Sequence, residues 1–207
     1  MARDENPPFS RGSTYYNGET IDSANLGGQN LEGAEWVFED VHPTTGVERT
    51  DRPVRCRCVR NTSTVVLLPK RLARFETGAL EFGARCDGYA IATAALTPEA
   101  GYPIDEYLPA AGVAVNDLFW IVVEGPAEVT TDVANMAAGD LNIGGWAVAC
   151  TAAASTNSTL GGHITTQNVT GVTAPLAANI QHRIGRALSV AITTATSTAI
   201  VVDVGKW

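Results

Sequence analysis

Four cysteines and three histidines are the side chains best suited to metal or nucleophilic chemistry in this chain. Cys56 and Cys58 stand two apart and would project to the same face of a strand. A Cys-x-Cys pair can ligate metal, but such a site wants about four ligands. The nearest histidine in sequence is His42, and no second cysteine pair exists. Buried reduced thiols are therefore expected, with no metal site and no cofactor. The spacing of Cys56, Cys58, Cys86 and Cys150 does not resemble a disulfide framework. His42, His163 and His182 are scattered, which reads as surface or hydrogen-bonded imidazole. Asp105 beside Glu106 could in principle do acid–base work, but neighbours on a strand point to opposite faces. No phosphate loop, dinucleotide fingerprint, His-Glu-x-x-His or Gly-x-Ser-x-Gly elbow is present, so no enzyme is expected. Asn61-Thr62-Ser63, Asn157-Ser158-Thr159 and Asn168-Val169-Thr170 match the glycosylation pattern, read as chance in a Thr-rich chain.

The charge is more informative. The net charge of −8 is unevenly spread over 207 residues. Residues 1–48 and 75–207 are strongly acidic, whereas 49–74 carry Arg49, Arg52, Arg55, Arg57, Arg60, Lys70, Arg71 and Arg74 against the single acid Asp51. A basic block between acidic flanks implies an acidic partner surface, or an internal partner in the chain's own acidic regions. Nucleic acid is not expected, because the block has one aromatic, Phe75, at its edge and no known binding motif. No apolar run reaches the roughly 18 residues of a membrane helix, and residues 1–8 hold no apolar segment, so neither membrane nor signal peptide is expected.

The elements that must carry these residues are mostly strands. Hydrophobic residues make up 45% of the chain, enough for a core. Residues 1–34 are rich in Gly, Asn, Ser and Glu and read as irregular chain: a tail, or an arm that orders on a partner. Tyr15, Tyr16, Trp36 and Phe38 favour the arm, since aromatics dominate binding surfaces. Glu35–Val41 alternates as a strand, and His42–Gly46 has turn chemistry. From Pro53 to Arg60 arginine alternates with small apolar residues, placing Val54, Cys56 and Cys58 on one face and Arg55 and Arg57 on the other. Thr64–Pro69 reads as a short strand ended by proline, and Lys70–Phe75 as extended chain or one turn. Gly88–Ala92 is a further strand candidate. Asp117–Glu124 is a strong strand stopped by Gly125-Pro126, with Ala127–Thr130 as a short return. Gly145–Thr151 is another strand, and residues 186–203 read as a closing hairpin. The one helix candidate spans Pro175 to Arg186. The expected fold is mainly β: a C-terminal small β-sandwich or barrel with an extended, largely irregular N-terminal arm. The expected divisions are an arm over 1–48, a basic β-ribbon linker over 49–84 and a β-rich domain over 85–207.

Several stretches together resemble phage head decoration, or capsid cement, proteins. They are Leu68–Phe75, Ile104–Pro109 running into Asn116–Pro126, Ala137–Leu141, and Ile184–Leu188 before the last hairpin. The resemblance covers about residues 65–207. It implies a virion protein, made in the host cytoplasm, that decorates the outer surface of a bacteriophage capsid and clamps neighbouring major capsid proteins. Self-association as a dimer or trimer on the shell is compatible with it, and so is a tail or fibre subunit as the alternative. It carries over no catalytic residue. The residues themselves nominate Trp36, Phe38, Arg55, Arg57, Lys70, Arg71 and Arg74 as capsid contacts, on aromatic and basic character.

Overall fold

The computed structural model describes residues 9–14, 31–76, 83–90, 101–130, 146–149, 164–166, 183–188 and 199–205. Among them there are strands and no helix. β1 (Glu35–Val41) and β2 (Glu48–Asn61) form a hairpin. β3 (Leu72–Phe75), β4 (Arg85–Tyr89) and β5 (Gly101–Pro103) are short. β6 (Leu118–Thr130) is long. β7 (Trp146–Ala149), β8 (Ile164–Thr166), β9 (Arg183–Ala187) and β10 (Ala199–Val204) complete the set. All ten lie in one sheet, in the order β5-β3-β4-β2-β6-β10-β9-β7-β8, with β1 on β2. The sheet is curled but open, a half-barrel.

The alternation of apolar residues explains the layering. On β2, Val54, Cys56 and Cys58 are buried while Arg55 is exposed. They join Leu118, Trp120 and Val122 of β6 and Ile200, Val202 and Val204 of β10 in one cluster on the inner face. Trp36 and Phe38 of β1 pack against that cluster. The odd positions turn outward: Val59, Phe119 and Ile121 are also buried, under Leu67, Ala73, Phe75, Ile104, Leu108 and Val113. The β2–β6 contact is thus covered on both faces at one end, which is why Leu118–Val122 reads as continuous apolar sequence rather than an alternation.

Gly125-Pro126 does not stop β6. The register against β2 slips by one residue between Arg55 and Cys56, so Val123 bulges. One extra residue switches the inward positions from 118, 120 and 122 to 127 and 129, and the apolar side chains follow. Ala127–Thr130, expected as a return strand, instead continues β6 and pairs with β10. Gly125 has φ +101°, and a Cβ there would lie 2.5 Å from the carbonyl oxygen of Pro53. Only glycine permits β2 and β6 to approach so closely at that backbone angle.

Other expectations need correction. Thr64–Pro69 is not a strand but irregular chain with one isolated bridge, Leu67 to Val113. Asn61 is the reason: its buried amide donates to the carbonyls of Val65, Val113 and Ala114, holding both loops in non-ladder geometry. The end of the helix candidate, 183–187, is β9, because it fits between β10 and β7; residues 175–182 lie outside the described set. Within the 49–84 segment, β2 is an interior strand of the sheet, between β4 and β6. Glu35–Val41, the turn after it and the β9–β10 pairing match expectation.

Substituting Gly125→Ala should destabilise the protein by about 2–3 kcal/mol, through backbone strain and the clash with Pro53. Urea unfolding of the two proteins side by side measures this, and the slope of the transition should be unchanged.

Candidate functional site

The basic block finds its partners within the chain. Arg49 forks onto Asp40 of β1, with Nη2–Oδ1 at 2.7 Å. Arg52 meets Asp203 of β10 at 2.6 Å, and Arg55 meets Glu124 of β6 at 3.2 Å. Arg57 pairs with Glu35, its neighbour across the β1–β2 ladder. Arg60 is buried and meets Glu32 at 2.5 Å, and Glu32 also holds Arg85 at 3.0 Å. Arg60 and Arg85 are register partners on parallel strands, so one carboxylate bridges two like charges. Lys70 pairs with Glu128 at 3.0 Å and Arg74 with Asp87 at 2.7 Å. Arg71 lies over the ring of Tyr89. Of the two partners the sequence left open, the internal one is present for Arg49, Arg52, Arg55, Arg57, Arg60, Lys70 and Arg74.

Trp36 and Phe38 turn inward. Both pack against the inner cluster, and Phe38 meets the Trp120 ring edge-on at 5.2 Å. What the β1–β2 ribbon shows outward is different. Val37 is 60% exposed and is the register partner of Arg55, which in turn pairs with Glu124. Around them Arg52, Pro53 and Gly125 complete a surface depression of about 130 Å³. This is the same outer face that Leu67, Ile104, Leu108 and Val113 cover further along β2 and β6.

The carboxylates Asp105 and Glu106 are better placed than sequence spacing suggested. They follow Ile104, which bridges to Ile121, and sit in a turn rather than on a strand. Strand alternation therefore does not separate them, and both are buried in one charged cluster. Asp105 accepts from Arg11 Nε at 3.2 Å and from the Gly12 amide at 2.6 Å. Glu106 lies 2.8 Å from Arg49 Nη1 and accepts from the Glu128 amide. Arg11 also lies over Tyr107, 4.7 Å from its centroid. Burial alone would lower the pKa of Arg11, but Asp105 and the neighbouring Glu106 outweigh it, so the guanidinium stays charged. Phe9 adds an apolar anchor: its ring lies 4.9 Å from that of Trp120, and its carbonyl accepts from Trp120 Nε1 at 3.0 Å. The described part of the N-terminal arm thus docks on the chain's own sheet. Arg11 was missed because nothing in its polar surroundings signals burial; the one usable hint was an isolated arginine between Phe9 and Gly12.

Cys56, Cys58 and Cys86 are buried free thiols, and Cys150 lies outside the described residues. Burial pushes the Cys58 thiol up to about 12 and raises Cys56 and Cys86 as well. No group of three or more His, Cys, Asp or Glu is arranged to hold a metal ion among the described residues. His42 Nδ1 accepts from the amides of Thr44 and Thr45, capping its own turn. His163, His182, Tyr15 and Tyr16 lie outside the described residues. Asn61 is fully buried, so the first glycosylation pattern has no accessible acceptor. Comparison with family models, curated proteins and solved structures gives no match.

Two outcomes follow. Replacing Arg11 with Ala removes the cation from buried Asp105, while Glu106 keeps Arg49, and should cost about 3–5 kcal/mol, whereas the loss should shrink when Asp105→Ala is made alongside it, as a double-mutant cycle of urea unfolding would show. The thiols give a pH dependence. Their folded pKa lies above the unfolded value near 9, so the unfolded chain releases these protons first. Their contribution is complete below about pH 9 and is lost as pH rises toward 12. Native protein at pH 8 should react with a thiol reagent at Cys56, Cys58 and Cys86 only as fast as it unfolds.

Proposed function

We propose that this chain is a structural virion protein that seats on the outer surface of a capsid and clamps neighbouring major capsid proteins. The observation that carries the reading is the exposed patch on the sheet's outer face where Val37, 60% exposed, stands among Pro53, Arg52 and Arg55. An apolar point within a rim of charge is the composition of a protein-docking patch. The sequence stretches that resemble cement proteins are the ones that build and lock the sheet: Leu68–Phe75 carries β3, Asn116–Pro126 carries most of β6, and Ile184–Leu188 carries most of β9. Ile104–Pro109 supplies the carboxylates that hold Arg11 and Arg49. The resemblance is therefore one of scaffold, and the role it suggests is non-catalytic.

On this reading the contacts divide. Trp36 and Phe38 support the patch from inside, while Val37 and Arg55 meet the shell. Arg55 and Glu124 are 46% and 56% exposed, so their pair contributes at most about 1 kcal/mol to the fold. Reversing Arg55 therefore probes docking with little cost in stability. Deleting residues 1–48 would instead remove β1 and the Arg11 anchor, and would not separate docking from folding.

Purified protein added to capsids lacking it should bind saturably, and gold label should cover the whole shell in electron micrographs. Val37→Asp or Arg55→Glu should weaken attachment about tenfold, a difference of about 1.4 kcal/mol, with unchanged melting temperature. Label confined to one vertex would instead indicate a tail or fibre subunit, and absence of binding would reject a shell role altogether.

A further inference from the structure

The contacts that hold residues 9–14 have the form of a recognition site. Trp120 reads an aromatic ring and its carbonyl together, through the 4.9 Å ring contact and the Nε1 hydrogen bond at 3.0 Å. Asp105 reads the arginine two residues on, at 3.2 Å, and with its other oxygen the next amide, at 2.6 Å. Tyr107 lies beneath the guanidinium. Gly12 is required where it stands: its φ is +80°, and a Cβ would come within 3.1 Å of the Tyr107 carbonyl oxygen. Phe9, Arg11 and Gly12 thus each meet a separate feature of the socket.

Nothing local forces this segment into its own socket. Every one of these partners lies more than ninety positions away in sequence, so the site is built wholly by the body of the sheet. Residues 15–30 separate the docked segment from Leu31, and such a length can extend up to roughly 55 Å. A compact domain of this size has a radius of gyration of only about 17 Å. The anchorage is also incomplete. Nη1 and Nη2 of Arg11 are buried without a hydrogen bond among the described residues, and Nη2 stays 3.8 Å from Glu106, whose Oε1 is held by Arg49 instead. Buried polar groups left short of partners weaken an attachment and favour its exchange.

We propose that the Trp120–Asp105–Tyr107 socket is a binding site for a Phe-x-Arg-Gly segment, and that at high local concentration it takes Phe9–Gly12 of a second copy of this chain. The contacts are identical in cis and in trans, so exchanging the segment changes only the connectivity and links copies through a buried charge pair. The inference stands apart from the shell-binding reading, and its test uses no capsids.

The test mixes two full-length variants. Arg11→Asp repels its own segment from Asp105 and Glu106 and leaves the socket vacant. Asp105→Asn with Glu106→Gln disables the socket and leaves the segment intact. Each alone should sediment at the 21.7 kDa monomer mass, and the equimolar mixture should give a species of about twice that mass. A mixture of folded variants that stays monomeric overturns the proposal. Wild-type chains need no variant to fold: copies labelled at the N terminus with donor or acceptor should develop energy transfer on concentration, removed by excess peptide of residues 7–16. Absence of transfer, or transfer that the peptide does not remove, also overturns it.

Discussion

β2 and β6 lie side by side from Arg55–Glu124 to Arg60–Leu118, and the remaining strands take their places from where that contact ends. At one end both faces of the pair are apolar, so the chain must supply two covering layers. At the other end the Val123 bulge bends β6 away from β2 and toward β10, which starts the curl of the sheet. A flat pairing without the bulge would put Ala127 and Val129 in water. The glycine that follows it lets the backbones of the two strands pass within contact distance.

Placing eight cations on and beside an interior strand creates an electrostatic demand that the acidic flanks meet. Asp40, Glu35 and Glu32 come from before β2, and Glu124, Glu128, Asp87 and Asp203 from after it. These pairs are not equal. Exposed ones such as Arg55–Glu124 are screened and weak. Buried ones such as Arg60–Glu32 and Arg11–Asp105 stabilise less by their attraction than they would destabilise if broken, because a lone charge inside the fold has no solvent. Charge compensation therefore fixes which segments accompany the sheet, including the first one.

The same logic separates what faces out from what faces in along β1. Its even positions, Trp36 and Phe38, are partly buried against the inner cluster, and Phe38 meets Trp120 edge-on. Its odd position Val37 is left outside with Arg55 beside it. The exposed apolar point of the ribbon is thus a residue that sequence inspection ranks low, since a single valine carries less signal than a tryptophan.

Period-two alternation was legible without coordinates in Glu35–Val41 and in Val54–Cys58, because each has one buried and one solvated face and the side chains must obey the pleat. The imbalance of charge between 49–74 and its flanks was legible too, as a demand for acidic partners. What the sequence alone could not determine was which acids would meet it. Lys70 and Glu128 are distant in the chain, as are Arg52 and Asp203, and only strand order brings them together. Asp105 and Glu106 looked like strand neighbours pointing apart; the turn that follows the Ile104–Ile121 bridge makes them converge. Arg11 lies in chain that looks solvated and is buried all the same, since burial is decided by the shape of the socket that the folded sheet presents and not by the residues on either side of it.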